Sequence, residues 1–143
     1  MASPASGSQA PNAPSLDRLI PGQRFLKWII AGLPSLSITA AAFFKLTASP
    51  EMVANMKGIP DPELWLPRLG VITLISLALY WIPRTALVGT ILLTAYLGGA
   101  AATHLLILQN NPASPILHAV LFWVGLGMRY PRVMAAAGLL PQR

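Results

Sequence analysis

The residues from Thr85 to Gln109 contain no Lys, Arg, Asp or Glu. At about 1.5 Å of rise per helical residue, a run of more than twenty uncharged residues crosses a hydrocarbon core roughly 30 Å thick. No soluble fold needs such a stretch, so this one reads as a membrane span. Placed on a helix, it aligns Thr85, Gly89, Leu92, Tyr96, Gly99 and Thr103, flanked by Ala95, Gly98 and Ala102. Lipid tails are as apolar as leucine, so helices in a bilayer associate through close backbone approach and interhelical hydrogen bonds, for which Gly, Ala and Thr are suited. The sequence therefore predicts that Gly89, Ala95, Gly98, Gly99, Ala102 and Thr103 form the seam against the other helices. Tyr96 would point its hydroxyl into that seam and require a partner there.

Composition agrees with this placement. Charged residues are 10% of the 143-residue chain and mean hydropathy is +0.60, where a soluble domain carries about a quarter charged residues. The net charge of +6 is spread thinly around apolar runs, without the stripe that nucleic-acid binding requires. The partners expected are membrane lipids and other integral membrane subunits, and no nucleic acid. With no cysteine, two histidines and four acids, thiolate catalysis and a protein-built metal cage are not expected.

In chain order, residues 1–20 are rich in Ala, Ser and Pro and read as a disordered or partner-bound tail. Without a basic n-region and a continuous apolar run they do not read as a secretory signal. Residues 21–143 read as one four-helix transmembrane domain with spans at about 25–46, 62–82, 85–108 and 115–129. Pro34 predicts a kink in the first span, with Ser35 or Ser37 answering the freed carbonyl. Ser49-Pro50-Glu51 starts a short interfacial helix that turns Met52, Val53 and Met56 toward the membrane. Asp61-Pro62-Glu63 opens the second span, and Trp65 at one end with Tyr80 and Trp81 at the other read as interfacial aromatic belts. Pro83-Arg84 leaves almost no loop, so the second and third spans are antiparallel neighbours. Ser114-Pro115 caps a fourth span that is short for a bilayer. Trp123 lies in its middle, and its N–H needs a partner. Val133 to Leu140 lies along the surface.

Arg18, Arg24, Lys27, Arg84, Arg129, Arg132 and Arg143 fall on one side of this topology and Lys45, Lys57 and Arg68 on the other. The positive-inside bias then puts both termini in the cytoplasm. Arg84, Arg129 and Arg132 read as anchors for anionic lipid headgroups.

Lys45, Tyr96 and His104 are the candidate ligand-binding residues, toward the outer half of the bundle, where ionisable residues in a span mark functional sites. A quinone could place its head there and its tail among the helices. The competing reading makes Lys45 a snorkelling side chain at a helix C-terminus and His104 and His118 interfacial anchors. No nucleophile, acid pair or metal cluster stands out, so no catalytic residue is assigned, and the leading expectation is a non-catalytic accessory or stabilising subunit of a larger membrane complex.

Phe44-Lys45-Leu46, Pro83-Arg84-Thr85, the run Ile91-Leu92-Leu93-Thr94-Ala95-Tyr96-Leu97-Gly98-Gly99-Ala100 with Ala102-Thr103-His104, and Trp123-Val124-Gly125-Leu126 followed by Arg129 and Pro131-Arg132 together resemble the DoxX-like family of small four-span bacterial membrane proteins. The likeness covers about Ser35 to Arg132. It implies an all-α integral membrane four-helix bundle of the bacterial cytoplasmic membrane. Relatives that the resemblance brings in include a membrane subunit of a thiosulfate:quinone oxidoreductase and proteins of oxidative-stress complexes, which makes a quinone-linked oxidoreductase subunit the alternative function. In this chain Leu105-Leu106-Ile107-Leu108 continues apolar after Thr103-His104, where that family often turns basic.

Overall fold

A computed structural model describes residues 21–139 apart from Lys57, and the side chains of Pro21, Gln23 and Arg24 also lie outside the description. Residues 1–20, read as a tail, and residues 140–143 are therefore outside the described residues. The elements are helices α1 (Pro21–Leu46), α2 (Pro50–Ala54), α3 (Pro62–Trp81), α4 (Ala86–Leu106), α5 (Ala113–Arg129) and α6 (Pro131–Ala136). Helices α1, α3 and α4 are long and apolar enough to cross a membrane, and α5, at 17 residues, is shorter.

The four long helices close into a ring in which α1 and α4 each pack on both α3 and α5. Short connections make successive helices antiparallel, so the start of α1 lies beside the ends of α3 and α5, where Trp28 and Trp81 stack at 6.0 Å. The outward surface carries large apolar residues: Leu36 is 73% exposed and Phe25 69%. The inward stripe contains Ala31, Thr73, Ser76, Tyr80, Ala86, Thr90, Leu93 and Phe122, all buried. Small and hydroxyl residues, which permit close helix approach, share the interior with Leu66, Leu77, Leu93, Leu97 and Leu126. Their hydroxyls turn onto their own helix: Thr73 donates to the Leu69 carbonyl at 2.7 Å, Ser76 to Ile72 at 2.7 Å and Thr90 to Ala86 at 2.8 Å. These three hydroxyls are thus answered inside the bilayer without a second helix, whereas the buried Tyr80 hydroxyl has no hydrogen-bond partner among the described residues.

Among the described glycines the tightest helix contact is at Gly89. A Cβ there would stand 2.2 Å from the Tyr80 amide nitrogen and 2.6 Å from the Leu79 carbonyl carbon, so α3 and α4 meet backbone to backbone. Thr85 fastens the turn between them by donating to the Leu79 carbonyl at 2.9 Å. α1 runs without interruption through the buried Pro34. Ser35 donates to the Ala31 carbonyl and accepts from the Trp81 indole at 3.2 Å, while Ser37 is engaged by His118.

The expected seam on α4 needs correction. Of its six packing residues only Gly89 is buried; Ala95, Gly98, Gly99 and Ala102 are exposed and Thr103 is half-buried, with its hydroxyl on the Gly99 carbonyl at 3.0 Å. Nothing lies within 4 Å of a Cβ built at Gly98 or Gly99. The inward face is Ala86, Gly89, Thr90, Leu93 and Leu97, rotated from the expected stripe. Small side chains permit close approach but do not compel it, and the helices around the second half of α4 stand back.

Two further expectations are revised and one is met. Tyr80 is fully buried and Trp81 half-buried, so they belong to the core rather than to an aromatic belt. The fourth span begins at Ala113, whose amide donates to Asn111 Oδ1 at 2.8 Å, ahead of the expected Ser114-Pro115 cap. The interfacial helix is a single turn, capped as expected by Ser49, whose hydroxyl accepts from the Met52 amide at 3.3 Å.

Candidate functional site

At the end of the bundle that holds Leu46 and Leu106, the retreat of the helices from α4 opens a groove of about 710 Å³. On the α4 side it is lined by Ala95, Tyr96, Gly99, Ala100, Thr103 and His104. These recur at three- and four-residue intervals on one helix face. Ala95 and Gly99, expected to draw in another helix, hollow out this space instead. The opposite wall comes from Lys45 at the end of α1, Leu69 of α3, and Met52, Asn55, Met56 and Ile59 in and after α2, with Leu108 and Asn110 closing the end. Met52 and Met56 thus face the groove rather than the membrane alone. Methionine is flexible and polarizable, and suits a wall that must fit an irregular guest.

All three candidate ligand-binding residues line this one groove. Lys45 does not snorkel outward. It is half-buried, its ammonium donates to the Tyr96 hydroxyl, and it stands 5.0 Å from the centre of the Tyr96 ring. Tyr96 has the partner its position required, supplied from the diagonally opposite helix. His104 is held by Asn110, whose Oδ1 is bonded to the ring Nδ1. An amide oxygen only accepts, so Nδ1 carries a proton, and the tautomer this selects has its acceptor at Nε2.

Behind the Lys45–Tyr96 pair lies a second cavity of about 190 Å³, reached by Ser37, Lys45, Tyr96, His104, Ser114 and His118. His118 is fixed twice: Nδ1 donates to the Ser114 carbonyl at 2.7 Å, and Nε2, left as the acceptor, takes the Ser37 hydroxyl at 3.1 Å. It clamps α5 to α1, a role the sequence did not assign. Trp123 likewise finds its partner, donating to Thr94 Oγ1 at 2.9 Å between α5 and α4.

The opposite end of the bundle holds a different arrangement. Arg84 and Arg132 are exposed, but Arg129 is not available as a headgroup anchor. Its guanidinium carbon lies 4.1 Å from the Trp81 ring centre, 4.7 Å from Tyr130, 4.8 Å from Tyr80 and 5.6 Å from Trp28. Nη2 donates to the Tyr130 hydroxyl at 2.8 Å, while Nε and Nη1 are buried without a hydrogen-bond partner. A planar, weakly hydrated guanidinium is attracted to aromatic faces, and a desolvated contact of this type is worth about 2 kcal/mol. Four rings from α1, α3 and the α5–α6 junction enclose it. The sequence displayed Arg129 beside Tyr130 but could not bring Trp28 and Tyr80 to it, because they arrive from helices far away in the chain.

The donor set of the groove suits an amphiphile of quinone type. Lys45 and the amides of Asn55 and Asn110 are donors for carbonyl oxygens, His104 adds an acceptor, and methionine and aliphatic walls take a ring and tail. Among the described residues no group of three or more His, Cys, Asp or Glu side chains is placed to hold a metal ion.

No curated protein and no solved structure matches the chain. The DoxX-like family model matches residues 29–125, which include the whole ring of helices at the groove with Lys45, Tyr96 and His104. An integral membrane bundle of four helices, matched over more than half its length, belongs to the DoxX-like family.

Proposed function

We propose that the protein is a membrane subunit that binds an amphiphile, of quinone type, in the groove at Lys45, Tyr96 and His104, and serves a quinone-linked oxidoreductase of the bacterial cytoplasmic membrane. The observation that carries this reading is the convergence of Lys45, Tyr96 and His104, from two different helices, on one cavity. The positive-inside bias places that cavity in the outer half of the bundle. When bound, a quinone supplies two-electron redox chemistry. The residues of this chain bind and orient its head: Lys45 donates to a quinone carbonyl, Tyr96 fixes the direction of the Lys45 ammonium, and His104 offers Nε2 as an acceptor to the hydroxyl of the reduced, quinol form.

Purification in mild detergent followed by organic extraction tests the reading. Stoichiometric quinone in the wild-type extract, reduced several-fold in His104→Ala, is the expected result. Extracts free of quinone, or unchanged by the substitution, refute it.

A second reading, a non-catalytic accessory subunit, is favoured by the face of α4 that packs on nothing among the described residues. Gly98 and Ala102 are exposed there, and α5 is short for a bilayer. Stoichiometric co-purifying membrane subunits together with no bound quinone would select this reading over the first.

A further inference from the structure

We infer that the groove also takes a single-chain amphiphile bearing one negative charge, and holds it more tightly than its neutral analogue. The inference rests on the reading of the groove as an amphiphile site and specifies the charge of a head it accepts.

The argument starts from Lys45. An ammonium has three N–H donors, and among the described residues its hydrogen-bond partner is the Tyr96 hydroxyl, which is uncharged. No Asp or Glu among the described residues lines the groove. Three of the chain's four acids, Glu51, Asp61 and Glu63, occur at this end and all are exposed. The cation is therefore half-buried beside an apolar cavity with no counter-ion in its wall, where a charge taken out of water needs pairing.

Lys45 sits one residue from the C-terminus of α1, close enough to the interface for its stem to reach lipid phosphates. It turns inward instead. The bond to Tyr96 fixes the charge over the cavity, so a partner for it must enter the cavity. One cation calls for one negative charge, and walls of Met52, Met56, Ile59 and Leu69 suit an apolar tail. The volume, about 710 Å³, lies in the range of roughly 300–1,000 Å³ that holds one small-molecule ligand. A carboxylate on one acyl chain and a phosphodiester on one acyl chain share this chemistry.

The test uses the full chain in nanodiscs of phosphatidylcholine, which is zwitterionic, with binding of palmitate and of hexadecanol measured by displacement of a fluorescent fatty acid. A hydrogen bond to a charged group contributes about 1.5–3 kcal/mol, so palmitate is expected to bind at least about tenfold more tightly than the alcohol. Lys45→Met is expected to bring the two within about twofold. Lysophosphatidylglycerol in place of palmitate distinguishes a phosphodiester head from a carboxylate, and preferred binding of either over the alcohol supports the inference. The comparison of acid with alcohol on the unaltered chain decides the matter even if Lys45→Met does not fold. Equal affinity for acid and alcohol, both displaced by a short-chain quinone, overturns the charge preference and leaves the amphiphile site standing. Failure of acid, alcohol and quinone to bind overturns both.

Discussion

Lys45, at the end of α1, donates to the hydroxyl of Tyr96, 51 positions later in the middle of α4. The two helices are diagonal in the ring and do not pack extensively on each other, so this pair bridges the bundle where its helices stand apart. It separates the groove from the smaller cavity beside His118, and both spaces touch both residues. Tyr96→Phe removes the acceptor and leaves the ammonium without its internal partner. The expected outcome is a stability loss of about 1–3 kcal/mol, read as lower thermal stability in detergent, together with loss of any co-purifying amphiphile.

Gly99 borders the groove with open space where a Cβ would stand. A leucine there projects into the cavity without meeting another helix. Gly99→Leu is therefore expected to lower bound amphiphile several-fold while shifting thermal stability by no more than about 0.5 kcal/mol, the range of substitutions that disturb no packed feature. A large drop in melting temperature would mean that Gly99 is packed after all.

Gly89 gives the opposite expectation. Its Cβ would lie 2.2 Å from the Tyr80 amide nitrogen, and both partners there are backbone, which cannot swing aside. Gly89→Ala should separate α3 from α4 and cost about 1–3 kcal/mol or more by overpacking. Unfolding in a denaturing detergent titration, at matched lipid, measures it.

Arg129 tests the aromatic enclosure at the other end. Arg129→Ala removes a cation held by four rings and is expected to cost at least about 2 kcal/mol, the size of one desolvated cation–π contact. Arg129→Lys should recover little, because a compact ammonium has no planar face to lie against Trp81 and Tyr80. The stability lost should not depend on anionic lipid. Arg132→Ala, by contrast, alters an exposed residue and should change vesicle affinity for anionic headgroups with little effect on folding. If Arg129→Ala is silent in phosphatidylcholine and destabilising only with anionic lipid, the headgroup role returns.

Much of the architecture was legible in the chain. Uncharged runs long enough to cross a bilayer, Ser49-Pro50-Glu51 as a helix start and Pro83-Arg84 as a tight turn all act over a few residues, and α3, α4 and α5 lie within a turn of the expected spans while α1 starts four residues earlier, at Pro21. The three ligand candidates were also visible, since ionisable side chains in an apolar run are conspicuous. Their convergence was not, for it depends on how three helices rotate about their axes. The small-residue stripe of α4 shows why rotation is hard to read: glycine and alanine satisfy a close helix contact and an open cavity equally well, and the neighbouring helices decide between them.

The sequence by itself determined that this chain enters a membrane, how many helices it forms and which side chains could carry polar chemistry there, because hydropathy, charge spacing and turn residues are local properties with energies fixed by the solvent. Tertiary structure alone decided that Gly89 packs while Gly98 and Gly99 do not, that Lys45 turns to Tyr96 and away from lipid, and that Arg129 lies among four aromatic rings. Those outcomes depend on contacts between residues distant in the chain, and in a bilayer, where burying an apolar side chain gains little, the apolar pattern gives no information about which face of a helix turns inward.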